Sequence, residues 1–254
     1  MTGEPPSLWH DLRKFTPARV ALGRAGNGLP TTAHLAFQAD HAAARDAVHA
    51  ALDIAALRAD LAAVGLQARV ARSACPDRRT FLLRPDLGRM LAPEDAGALA
   101  ADPAPGRLAF VVCDGLSALA VQRYAAGLLA HVVPALQPDA AIVIARQGRV
   151  ALGDAIAEAL GASAVAVLIG ERPGLSAQDG LGVYLTWQPR RGCRDSARNC
   201  LSNIRPGGLA IADAAAKLVW LAGEMRRRRL SGIALKDEAP PPGVQDRSTS
   251  MLGT

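Results

Sequence analysis

Three uninterrupted apolar runs of strand length, separated by stretches with helical periodicity, limit what this chain can become. RLAFVVCDG, Arg107 to Gly115, reads as a strand and Ser117 to Val133 as a helix. Ala141 to Ala145 is a second strand, Val150 to Leu160 a helix stopped by Gly161, and Ala164 to Ile169 a third strand. Continuous Val, Ile and Leu, as opposed to alternating apolar and polar residues, suit parallel strands covered on both faces. The result is a βαβαβ unit and an α/β fold. Right-handed crossovers put the ends of the three strands on one edge, so Asp114-Gly115, Arg146 to Val150 and Glu171-Arg172 should line one crevice. Glu171 follows VAVLIG directly and is pinned by Pro173 and Gly174, so the third strand delivers a carboxylate to that edge. Lying beyond the buried strand, it should matter little to folding. The competing reading is a solvated loop ion pair with Arg172.

The rest of the chain is arranged around this unit. Residues 1 to 10 read as a disordered lead, and Gly23, Gly26 and Gly28 as structural turns, because their spacing matches no phosphate-binding fingerprint. Thr32 to Val64 has one helical pattern, with Leu35, Ile54, Leu57 and Leu61 on its stripe, Thr31 or Thr32 as cap and Gly65 as stop. Its polar face carries His41, Asp46 and His49, which could be imagined as metal ligands but suit a solvated face better. Leu66 to Arg72 and Arg79 to Leu83 read as short strands around a turn at Cys75 to Asp77, and Pro93 to Gly106 as a short helix with a linker. After the unit, LGVYLTW, Leu181 to Trp187, is a strand, and Pro189 to Gly208 a polar loop. Ile211 to Arg229 is a helix with Ala214, Leu218, Leu221 and Met225 on its inner stripe. The expected organisation is a smaller N-terminal helical part with short strands over 1–102, a Rossmann-like, mostly parallel sheet flanked by helices over 103–237, and a disordered Pro-rich tail over 238–254.

Half of the 254 residues are hydrophobic, which is enough for a large core, and only 4% are aromatic. The formal charge of +6 is concentrated in RRRR, Arg226 to Arg229, at a helix end where cations complement the macrodipole, and in PRRGCR, Pro189 to Arg194. Neither run is interleaved with aromatics, so no nucleic-acid platform is expected. Cys75, Cys113, Cys193 and Cys200 have no metal-site spacing, and Cys113 reads as a small core hydrophobe. With no signal-peptide pattern in the first residues and no apolar stretch taken as long enough to span a bilayer, a cytoplasmic protein without a membrane partner is expected. The first strand lacks the dinucleotide fingerprint, and the hydrolase and zinc-protease motifs are missing. Asp114 could act as an acid or base, but holding its turn or capping the next helix is its simpler role.

Six segments in order carry a resemblance: LRKFTPARVALGRAGNGLPT, VVCDGLSALAVQRYA, QGRVALGDAIAEALGA, VLIGERPGLS, RNCLSNIRPGGL and LSGIALKD. From about Leu12 to Asp237 the chain resembles the small subunits of ethanolamine ammonia-lyase. The resemblance implies an adenosylcobalamin enzyme that converts ethanolamine to acetaldehyde and ammonia by a radical mechanism. Its large subunit, a TIM barrel, would bind ethanolamine and hold the catalytic groups, and its small subunit would cover the cobalamin at the interface. It also implies three cofactor contacts, at Val150 in the GRV segment, Glu171 in IGERPG and Cys200 before SNI, and no catalytic residue or metal ligand in this chain. No DxHxxG motif is present, so the cofactor's own dimethylbenzimidazole should stay coordinated. The short lead before Leu12 leaves targeting to a bacterial microcompartment open. The alternative from another class is a stand-alone α/β module binding a nucleotide or nucleic acid.

Overall fold

The computed structural model describes residues 11–16, 18–137 and 139–239; the lead over 1–10 and most of the tail beyond Glu238 lie outside them. Ahead of the first long helix, Ala25 and Gly28 exchange backbone hydrogen bonds around Gly26 (φ +61°), so Gly26 and Gly28 form a structural turn, and Gly23 also takes a positive φ of 79°. Helix α1 spans Thr31–His49 and α2 Ile54–Ala63. The expected single helix is therefore two: Asp53 accepts the backbone N–H of Ala56 and caps α2, which breaks the chain at Ala50 to Asp53. The start of α1 has no side-chain cap, since Pro30 holds the capping position and Thr31 and Thr32 lie inside the helix. Leu35 is 57% exposed, whereas Leu57 and Leu61 are fully buried, so only α2 keeps the predicted inner stripe.

Strand β1, Arg69–Arg72, is followed by helix α3, Arg78–Leu83, where a second strand was expected. The carboxylate of Asp77 accepts the Thr80 N–H at 2.7 Å and starts the turn as a helix, burying Phe81 completely. Helix α4, Pro93–Ala100, precedes strand β2, Leu108–Cys113. Then come helix α5, Ala118–Leu136, strand β3, Ala141–Arg146, helix α6, Leu152–Leu160, and strand β4, Ala164–Gly170. Strand β5 covers Leu181–Trp187, and strand β6, Arg198–Ile204, occupies part of the segment read as a polar loop. Helix α7, Ile211–Arg228, buries the predicted stripe, and Arg229 closes it in the left-handed conformation.

The six strands form one sheet in the order β1-β3-β2-β4-β5-β6. Strands β1, β3, β2 and β4 are parallel, β5 is antiparallel to β4, and β6 antiparallel to β5, so β5 alone runs against the rest. The α/β class with a mostly parallel sheet is thus observed, although β4 is parallel to only one neighbour. Strand β1, which precedes Asp102, pairs with β3 from Arg69 to Arg72. Alternation along the central strands builds two cores. Leu108, Phe110 and Val112 of β2 meet α2, α5 and α7 on one face, and Ala109, Val111 and Cys113 meet α4 and α6 on the other. Each fully buried Leu, Val or Phe contributes about 1.5–3 kcal/mol, which explains why these runs tolerate no polar residue.

Among the described residues, one helix, α5, is long and apolar enough to cross a membrane, contrary to the sequence expectation. It lies in the fold as a core helix, with Val121, Ala125, Leu128, Leu129 and Val132 fully buried in the cluster that also holds the sheet and α7.

Candidate functional site

The carboxyl ends of β2, β3 and β4 come together as the topology requires. The turn after β2 is braced from inside: Asp114, 4% exposed, accepts the Gly148 N–H at 3.2 Å on Oδ1 and faces Arg78 Nη1 at 3.4 Å on Oδ2. Burial raises its pKa against the opposing pull of Arg78. Arg78 also donates to the carbonyls of Val48 and Gly115, which ties α1 to the same turn. Ser117, not Asp114, caps α5 by accepting the Ala120 N–H. Asp114 is a turn brace, held between the Gly148 N–H and Arg78.

Around these loops lies a crevice of about 1050 Å³. Its walls come from Arg89 to Leu91, Gly115-Leu116, Arg149 to Ala151, Ile169 to Arg172, Tyr184 and Arg191 to Asp195. Val150 and Glu171 line it together, at the ends of β3 and β4. Cys200 does not: it sits on β6, exposed, directly across the strand pair from Tyr184, which does line the crevice. Two of the three expected contacts are therefore in the wall and the third is one residue behind it.

Glu171 is more embedded than a loop ion pair would be. Its two carboxylate oxygens accept the Asn203 N–H at 3.1 and 3.2 Å. The glycines at 180 and 182 leave it room, since a Cβ at either would stand 2.6 or 3.0 Å from a carboxylate oxygen. Through these bonds Glu171 links the end of β4 to β6, in addition to standing in the crevice wall. A carboxylate has about four acceptor sites, so the bonds to Asn203 leave capacity toward the crevice.

A family model for the ethanolamine ammonia-lyase light chain (EutC) matches residues 6–236. The chain belongs to that family. The ethanolamine ammonia-lyase small subunit of Azotobacter vinelandii is 56% identical over 239 residues, covering 91% of this chain and 88% of the relative. Those of Xanthomonas campestris pv. campestris and Ralstonia nicotianae are each 52% identical, the first covering 95% of this chain and 92% of its own length, the second 96% and 93%. This light chain is thus similar to lyase subunits along nearly all of its length.

Several residues that shape the crevice of this light chain escape sequence reading. Tyr184 stands between Glu171 and Cys200, and burial, followed by the neighbouring Cys200 and Glu171, pushes its pKa up to about 12, so it is a neutral hydroxyl donor. A signal existed: Leu181, Val183 and Leu185 alternate onto the helix-covered face, which leaves Tyr184 for the other. Asp154 at the start of α6 and Arg198 on β6, both side chains 1% exposed, form a bidentate pair at 2.6 and 2.7 Å. Burial works against the charge of Arg198, but Asp154 more than offsets it and raises the Arg198 pKa. Arg198 also donates to the Thr186 hydroxyl and the Cys193 carbonyl, fixing the 191–195 wall.

The remaining charge patterns are structural. Among the described residues no group of three or more His, Cys, Asp or Glu is placed to hold a metal ion, and the His41, Asp46 and His49 set is not assembled. Arg227 and Arg228 grip Glu224 and hold its carboxyl down at about 2, so part of the basic run is neutralised within its own helix.

Proposed function

We propose that this chain is the cofactor-covering subunit of a heteromeric ethanolamine ammonia-lyase, acting with a large subunit that binds ethanolamine and carries the catalytic groups. The observation that carries the reading is the crevice: Val150 and Glu171, two of the residues that the family resemblance assigns to cobalamin, meet in one wall although they are 21 positions apart in sequence. The wall also suits the cofactor chemically. Leu91, Leu116, Val150 and Ile169 offer apolar surface for a macrocycle, and Glu171, the Tyr184 hydroxyl and arginine N–H groups offer partners for a fringe of amides.

Adenosylcobalamin, when bound, supplies the radical chemistry that starts conversion of ethanolamine to acetaldehyde and ammonia. The work of this chain is binding and exclusion. Val150 packs on the ring system, Glu171 accepts N–H or O–H donors, and Tyr184 presents a neutral hydroxyl backed by Cys200. Closure of this edge against the large subunit keeps water from the reacting centre. No residue of this chain acts on substrate, and the subunit works in the cytoplasm.

The purified chain given ethanolamine and adenosylcobalamin is expected to release no acetaldehyde, and activity is expected to appear on addition of the large subunit. A coupled assay for acetaldehyde checks this. Turnover by the chain alone, with the large subunit absent by mass spectrometry, contradicts the reading.

A further inference from the structure

Arg89, Arg149 and Arg172 converge on the crevice, and none has a carboxylate within salt-bridge distance among the described residues. Arg149 is the anchor. Its guanidinium carbon lies 4.3 Å from the centroid of the fully buried Phe81 ring, its Nη2 donates one long bond of 3.4 Å to the Phe81 carbonyl, its backbone N–H is held by the Gly88 carbonyl at 2.7 Å, and its Nε is buried without a partner. Gly88 makes the stack possible, since a Cβ there would stand 3.0 Å from the Phe81 ring and 3.1 Å from Arg149 Cγ. Burial lowers the pKa of Arg149, and the charges of Arg78, Arg89 and Arg172 lower it further. The fold therefore holds a half-buried cation rigidly, beside other cations, without a countercharge. Such a cluster is stabilised when an anion arrives, and a planar, pre-positioned guanidinium suits a phosphate, which it can grip through two parallel N–H groups.

We infer that Arg149, flanked by Arg89 and Arg172, is an anion subsite of this crevice that grips the phosphodiester in the nucleotide loop of the cobalamin. The inference rests on the reading of the crevice as a cobalamin site. It adds a charge-specific contact that Val150, Glu171 and Cys200 cannot provide.

The test compares two corrinoids on the complex reconstituted with the large subunit, using absorbance titration: cyanocobalamin, which has the phosphodiester, and dicyanocobinamide, which lacks it together with the nucleotide. In Arg149→Met, which keeps an apolar stem against Phe81, the affinity for cyanocobalamin is expected to fall about 10- to 100-fold while that for dicyanocobinamide stays the same. Equal losses for both corrinoids, or no loss for either, overturn the subsite. Should the variant fail to assemble, the unmodified complex is titrated at rising salt, where the subsite requires cyanocobalamin to weaken more than dicyanocobinamide and equal weakening overturns it. If the unmodified complex binds neither corrinoid, the cobalamin reading itself fails and the inference falls with it.

Discussion

Arg198→Met is expected to lower the free energy of unfolding by about 3–5 kcal/mol, because it leaves the carboxylate of Asp154 buried without its partner. Both side chains are 1% exposed, and their two hydrogen bonds of 2.6 and 2.7 Å join the first turn of α6 to the edge strand β6. Thr186 and the Cys193 carbonyl complete the shell around the guanidinium, so methionine also strands their oxygen acceptors. Removing the carboxylate as well, in Arg198→Met with Asp154→Leu, is expected to recover most of the loss, since an apolar pair of similar volume often replaces a buried ion pair without penalty. Urea unfolding of the single and double variants measures both effects. A loss below about 1 kcal/mol in the single variant, the range of an exposed pair, would show that the pair is not a buried anchor.

The second large effect belongs to Gly170→Ala. A Cβ at this position would stand 2.0 Å from the Ser117 carbonyl oxygen and 2.6 Å from that of Asp114. Both are backbone atoms of the turn that Gly115, at φ +53°, makes against the end of β4, where Leu116 donates to the Gly170 carbonyl at 2.9 Å. Backbone cannot rotate aside as a side chain can. The loss should thus reach or exceed about 3 kcal/mol, the upper part of the usual overpacking range. For a chain of this size, that corresponds to a fall of roughly 6–12 °C in Tm. Gly223→Ala is the control: nothing lies within 4 Å of its Cβ position on α7, and alanine there should stabilise by about 0.4–1 kcal/mol. A Gly170→Ala protein melting within about 2 °C of the unmodified chain would refute the backbone contact.

The parts of this fold that were legible in the sequence are those where burial leaves no choice. Strands β2, β3 and β4 are apolar at nearly every position because helices cover both faces, and α7 shows its stripe because one side alone meets the core. Short elements at the margins were not legible. Arg78 to Leu83 is six residues long, and so short an apolar run fits a strand or a helix equally well until the cap at Asp77 decides. The break between α1 and α2 was hidden because helical spacing continues through it in register. Strand β6 reads as loop because Asn199, Ser202 and Asn203 lie on an edge that no helix covers fully, and because a bulge opposite Leu181 and Val183 interrupts its alternation.

The site divides in the same way. Glu171 and Val150 were accessible because each follows an unmistakable strand, and the topology alone carries strand ends to a common edge. Tyr184 needed the strand's alternation to be followed one step further. Arg198 could not be found from sequence, since it sits among four other arginines between Arg190 and Arg205, and only the fold shows which of them reaches Asp154, 44 residues away. Phe81 was hidden for the same reason: a lone aromatic in an ambiguous short run gives no hint that two arginines stack on its faces, at 4.8 Å from Arg78 and 4.3 Å from Arg149.

The central claim is that the crevice at the carboxyl edge of the sheet covers cobalamin, and Glu171→Gln tests it most directly. Glutamine keeps the shape and one oxygen to accept the Asn203 N–H, so the fastening of β6 should survive and assembly with the large subunit should be normal. What it removes is the charge of the acceptor offered to the cofactor. Hydrogen bonds to charged groups contribute roughly 1.5–3 kcal/mol, so the cobalamin affinity of the reconstituted complex, read by absorbance titration, should fall by about one to two powers of ten. An unchanged affinity in a normally assembled complex would contradict the account and leave Glu171 as the residue that ties β4 to β6 and nothing more.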